Sequence, residues 1–142
     1  MGLNWPKSGP NHVPSFEISG LPYVTRSVSN EVTATPIKIS FPFVTRFFTI
    51  NNIGAGELRV GFTENGVNSN PDANYFILGA NMTGSIRQEI RCKDLFFRRH
   101  GNTSTGFEII AGLTTIPHGQ LPILTGSQDP VKPQGIVWTG IG

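Results

Sequence analysis

Cys92, the three histidines His12, His100 and His118, and nine dispersed carboxylates are the residues of this chain best suited to chemistry. A catalytic cysteine must sit as a partly exposed thiolate beside a base. Cys92 instead falls in a strict alternation, with Ile86, Gln88, Ile90 and Cys92 on one face and Arg87, Glu89, Arg91 and Lys93 on the other. That pattern predicts a strand with Cys92 on its apolar side, as a small buried hydrophobe. Each histidine stands in a predicted loop with no second histidine at ligand spacing, and no zinc or calcium pattern is present. A glycosidase needs two carboxylates close together, one of them in an apolar pocket, and no spacing here suggests it. No serine lies in G-x-S-x-G, and Gly54-Ala55-Gly56-Glu57 lacks the lysine and helix of a phosphate loop. The expectation is a protein without catalytic residues, cofactor or metal.

The densest charge cluster is RQEIRCKDLFFRRHG, residues 87–101. Arginines interleaved with Phe96 and Phe97 are the ingredients of a stacking platform for single-stranded nucleic acid. Glu89 and Asp94 within the cluster point the other way, to phenylalanines in a core and charges on a solvated face or subunit seam, so no nucleic-acid partner is expected.

The composition narrows the class. Of 142 residues only 14% are charged, against about 25% in an ordinary soluble domain. Glycine (17), proline (11) and phenylalanine (10) are abundant, and the net charge is +2. A surface with so little charge suits contact with partner chains. One cysteine excludes an intrachain disulfide framework. No apolar run reaches 18 residues, so direct membrane insertion by a helix is not expected, and MGLNWPKSGPNHVP has no secretory apolar core.

The elements follow from turn residues and periodicity. Residues 1–14, with Pro6, Pro10 and Pro14 and no periodic pattern, predict an extended arm anchored by Trp5. From residue 15 the pattern is one domain to residue 142. Ile37 to Phe48 reads as a long strand with an edge or bulge at Pro42, both faces being apolar near Phe47-Phe48. Leu58, Val60 and Phe62 mark a strand after the Gly54–Gly56 turn, and 65–74 is an Asn-rich loop before a short strand within 74–82. Further strands are expected at 86–97, at Phe107 to Leu113 and at Ile136 to Trp138. No long helix is predicted. Seven or eight short strands separated by turns indicate an all-β sandwich or barrel.

A phrase recurs within this pattern: LPYVTR at 21–26 and FPFVTR at 41–46. The flanks diverge at once, and five residues do not establish a repeat. Two strands obeying the same rules (proline at an edge, then aromatic and valine on opposite sides) account for it.

The order of these elements resembles the single jelly-roll capsid proteins of large icosahedral double-stranded DNA viruses, closest to virion proteins of algal viruses. The likeness is carried by SGLPYVTRSV, FPFVTRFFTINN, ELRVGFTENGVN, NYFILGA and EIIAGLTTI, which run over most of residues 19–116. It implies a single jelly-roll β-sandwich of about eight antiparallel strands in two sheets, behind the N-terminal arm. It further implies a non-enzymatic penton protein, a homopentamer at the fivefold vertices that contacts neighbouring major and minor capsid proteins in the virion. A minor cement protein, or a carbohydrate- or receptor-binding module using loop 65–74 and Tyr75, stays open beside it. On the penton reading Trp5, Pro6, Arg26, Arg46 and Trp138 are the expected interface residues, the tryptophans as large rigid anchors and the arginines paired with acids of a neighbour.

Overall fold

The computed structural model describes residues 10–11, 20–28, 30–68, 73–81 and 86–124. Eight strands run in the order β1 (Leu21–Arg26), β2 (Ile37–Ser40), β3 (Phe43–Asn52), β4 (Glu57–Gly61), β5 (Tyr75–Leu78), β6 (Ile86–Gln88), β7 (Asp94–His100) and β8 (Phe107–Pro117). A short helix, α1 (Glu64–Asn68), separates β4 from β5. Two four-stranded antiparallel sheets result, with orders β1-β8-β3-β6 and β2-β7-β4-β5.

Strand 1 pairs with 8, 2 with 7, 3 with 6 and 4 with 5. This is a long antiparallel hairpin rolled into two layers, with β3 also paired to β8 and β4 to β7. That connectivity is the jelly roll.

Period-2 patterning sets which residues enter the space between the sheets. Phe107, Ile109, Ala111 and Leu113 of β8 point inward and are buried, while Ile110 points out. On β7, Leu95 and Phe97 are buried and Phe96 lies on the other face. Phe97 of the second sheet stacks on Phe107 of the first, ring centroids 4.2 Å apart and planes 11° from parallel. Full burial of such a side chain contributes roughly 1.5–3 kcal/mol. Tyr23 meets Phe41 edge to face at 5.0 Å.

The predicted long strand from Ile37 is two strands in different sheets. The chain crosses between layers at Phe41-Pro42, where proline has no N–H to give to a ladder. The crossing is held from outside: the Phe41 amide donates to the Lys93 carbonyl at 2.8 Å, and the His118 amide to the Pro42 carbonyl at 3.2 Å. Register shifts follow between Phe43 and Phe47. Near the same place Phe48 is buried but Phe47 is not, its outer ring face being covered by the Arg87 guanidinium at 3.8 Å.

The alternation at 86–93 is also shorter than expected. Only Ile86–Gln88 is a strand, and Cys92 and Lys93 are both buried. Lys93 is turned in because its ammonium donates to the Leu121 carbonyl at 2.9 Å. Helix α1 occupies the start of the predicted loop 65–74: the Thr63 hydroxyl accepts from the Gly66 amide at 3.0 Å and caps it. Of the predicted arm 1–14 only Pro10 and Asn11 are described, and the predicted strand 136–138 lies outside the described residues.

The repeated phrase is resolved by burial. Both copies flank β8 in the same sheet, yet Val24 is 71% exposed and Val44 is fully buried. The same letters meet different surroundings, which is shared strand grammar and not a repeated unit.

Candidate interaction surface

Among the described residues, Cys92, Asp94 and His118 are neighbours but are held apart by their own contacts. Cys92 is buried, and its thiol is pushed up to about 12, first by burial; the Thr45 hydroxyl opposes this and the Asp94 carboxylate adds to it. It is the small core residue that the alternation predicted. His118 uses Nδ1 to donate to the Phe41 carbonyl at 2.7 Å, since a carbonyl only accepts, and its Nε2 lies 4.0 Å from Asp94. His100 accepts at Nδ1 from Arg59 Nε at 3.0 Å. His12 lies outside the described residues. Among the described residues no three His, Cys, Asp or Glu side chains gather to hold a metal.

One cluster sits on the outer face of the second sheet. Arg59 lies over the Tyr75 ring at 4.4 Å, His100 is 6.1 Å from that ring, and Glu57 is 3.9 Å from His100. Arg59 and Arg98 are cross-strand partners, so two like charges stand opposite each other. Their guanidiniums turn to the end of α1, donating to the carbonyls of Val67 (3.0 Å) and Asn68 (3.4 Å). This holds α1 over Gly61, whose missing side chain makes room: a Cβ there would meet Val67 Cγ1 at 2.8 Å. Loop 65–74 is thus tied down at its first residues, beside Tyr75 as the sequence suggested.

The first sheet presents a different surface. Val24 and Ile110 are cross-strand partners on β1 and β8, 71% and 54% exposed. Val28, 65% exposed, follows two residues beyond β1, whereas Leu21 pairs with inward-facing Leu113 and so lies on the other face. β1 is the sheet edge, and its outward amides are those of the even residues, because Ser27 donates inward to Phe107. Pro22 takes one of those outward positions with no N–H, which blunts strand addition and leaves side chains to make contacts. Arg26 and Glu108 border the Val24–Ile110 pair 3.9 Å apart, with Glu31 close by, its carboxylate accepting from the Val28 amide at 3.1 Å.

At the opposite edge Ile90, two residues after β6, is 38% exposed. Glu89 bridges Arg46 (2.8 Å) and Arg87 (2.6 Å) there, and Arg91 donates to the Pro10 carbonyl at 3.3 Å.

The expected interface residues therefore separate. Arg26 lies on the edge strand β1 and reaches Glu108 of its own chain at 3.9 Å, and Arg46 lies on β3, next to the edge strand β6, and reaches Glu89 at 2.8 Å. Trp5, Pro6 and Trp138 lie outside the described residues. The exposed aliphatics Val24, Ile110 and Ile90 were missed because alternation marks a residue as outward without saying that its face is solvent. The signal that could have found them is the apolar residue on an otherwise polar face, Ile110 beside Glu108.

Comparison with known proteins gives no matching family model, no curated relative and no similar solved structure.

Proposed function

We propose that this chain is a non-enzymatic building block of a viral capsid, the penton protein that forms a homopentamer at the fivefold vertices. Its partners are then further copies of itself and the neighbouring major and minor capsid proteins, and its place is the virion, after synthesis in the host cytoplasm. The jelly roll alone does not decide this, since lectin domains and cupins share it. The observation that carries the reading is the exposed apolar pair Val24 and Ile110 on the outer face of the first sheet, with Ile90 exposed past β6 on its far side. Exposed apolar side chains on both sides of one sheet suit contacts that repeat around an axis and close a ring. Low charge content favours the same role. Electron microscopy of the purified chain tests it: rings of five support the penton. Single particles, or open filaments, favour the minor cement protein or an unrelated role.

A second reading has its own observation. The Glu57, Arg59, Tyr75 and His100 cluster beside loop 65–74 supplies an aromatic ring with charged and polar neighbours, the ingredients of a carbohydrate or receptor site. Binding on a glycan array that is lost in Tyr75→Ala supports it; an array with no binder removes it.

A further inference from the structure

Of the four edge strands, β5 is the one whose sequence leaves it open to pairing. β1 carries Pro22 at an outward position, β6 is three residues long with Arg87 at its centre, and Lys38 stands within the four residues of β2. Proline, short length and charge are devices that blunt an edge. β5 reads Tyr-Phe-Ile-Leu, without proline or charge.

Register fixes which of its backbone groups are open. The Arg99 amide donates to the Thr33 carbonyl at 3.1 Å, away from β4, so its cross-strand partner Leu58 turns its own amide and carbonyl toward β5. Leu58 and Val60 therefore bond Leu78 and Phe76, and the N–H and C=O of Tyr75 and Ile77 point past the sheet edge. Among the described residues no strand pairs with that side. Both faces of the edge are apolar: Ile77 is 44% exposed on the outer face, and Phe76 is half-buried on the inner one.

The longest run outside the described residues is 125–142, and it contains Ile136-Val137-Trp138, the predicted strand that β1 to β8 leave unused. Side chains alternate along a strand, so Ile136 and Trp138 share one face and Val137 takes the other. All three are apolar, which suits an edge apolar on both faces. From Leu124 to Ile136 an extended chain spans at most about 40 Å. That is ample for a domain with a radius of gyration of about 14 Å.

We infer that residues 136–138 of the same chain add to the open side of β5 as a fifth strand of the second sheet. Its ladder bonds go to the amides and carbonyls of Tyr75 and Ile77, and its side chains extend the faces set by Ile77 and Phe76. Trp138 then anchors the tail to its own domain and not to a neighbouring subunit. The added strand closes an edge that would otherwise template pairing with other chains. The inference stands apart from the capsid reading and holds or fails without it.

Amide hydrogen exchange of the full chain, read residue by residue by NMR, tests it. The expected result is exchange at Tyr75 and Ile77 at least about 100-fold slower than at unpaired amides, and independent of protein concentration. Successive strand residues direct their N–H groups to opposite sides, so Ile136→Pro or Val137→Pro removes a ladder bond. At least one of the two is expected to restore fast exchange at Tyr75 and Ile77 while Ile109 in β8 stays protected. Fast exchange at both amides in the wild type overturns the inference. Slow exchange that survives both proline variants overturns the tail as the occupant, and protection that appears only at high concentration overturns its origin in the same chain. If the proline variants lose Ile109 protection as well, the exposed substitution Ile77→Lys decides. In a Trp5→Phe background, where Trp138 is the sole tryptophan, it is expected to shift the fluorescence maximum to the red. An unshifted maximum overturns the docking.

Discussion

The side-chain amide of Asn52, at the end of β3 in one sheet, donates to the Leu78 carbonyl of β5 in the other at 3.1 Å. The same Nδ2 donates to the carbonyls of Gly56 (2.7 Å) and Gly79 (2.9 Å). Oδ1 accepts from the Gly54 amide at 3.1 Å and from the Thr105 hydroxyl. One buried amide thus ties together the turn after β3, the end of β5 and the residues before β8. A buried polar group is tolerated when its hydrogen bonds are made, and this one makes them to backbone groups that have few other options.

Asn52→Leu leaves several of those groups without partners, each costing about 1–3 kcal/mol. The expected loss is about 3 kcal/mol or more by guanidinium unfolding. Asn52→Asp is expected to be no better, because it turns a carboxylate oxygen toward three carbonyls. Wild-type stability in either variant would contradict the network's role.

Gly56 lies against the β7–β8 turn, where a Cβ would meet the Thr103 carbonyl oxygen at 2.2 Å. Backbone must move to admit it, so Gly56→Ala is expected to cost about 1–3 kcal/mol. Gly79, with nothing within 4 Å of its would-be Cβ, is the control. Its alanine variant is expected within about 1 kcal/mol of wild type, since restricting the unfolded chain offsets any loss. Melting temperatures of the pair decide it.

Val24 and Val44 occupy the same place in the repeated phrase, the one 71% exposed and the other fully buried. Val44→Ala removes buried methyl groups and is expected to cost about 2 kcal/mol. Val24→Ala is expected to stay within about 0.5 kcal/mol, the range of exposed substitutions. Equal losses in urea unfolding would contradict the burial assigned to Val24 or Val44.

Cys92 gives a pH dependence. Its thiol is raised from 9.0 to about 12 in the folded chain, chiefly by burial. The unfolded chain therefore loses this proton first, and stability is complete below pH 9 and falls as pH rises from 9 toward 12, by at most about 1.4 kcal/mol per pH unit. Cys92→Ala is expected to lack that part of the alkaline slope, read as the wild-type minus variant difference. The folded thiol is also expected to resist a thiol reagent at pH 8 and to react on unfolding. Parallel pH profiles for the two proteins would contradict the assignment.

Much of the fold was legible because strands half-buried in a sandwich must alternate, as Phe107 to Leu113 does. The crossing at Phe41-Pro42 was not, since the alternation continues through it while the sheet changes. Nor was α1, five residues long and fixed by one threonine cap and two arginine-held carbonyls. Lys93 was misplaced because a lysine can follow its own ammonium to a buried carbonyl. For the site, Arg26 and Arg46 were legible as exposed strand arginines, but pairing within the chain depends on register, which juxtaposes Arg26 with Glu108 across 82 positions of sequence. The exposed apolar pair was invisible for a similar reason: Val24 and Ile110 meet only once β1 and β8 are paired.

The native mass of the intact chain, followed by light scattering across a concentration and salt series, tests the central claim most directly. The account predicts a five-chain species whose population grows with concentration and persists as salt is raised, because its contacts are chiefly apolar. A single-chain mass at every concentration and salt would contradict it.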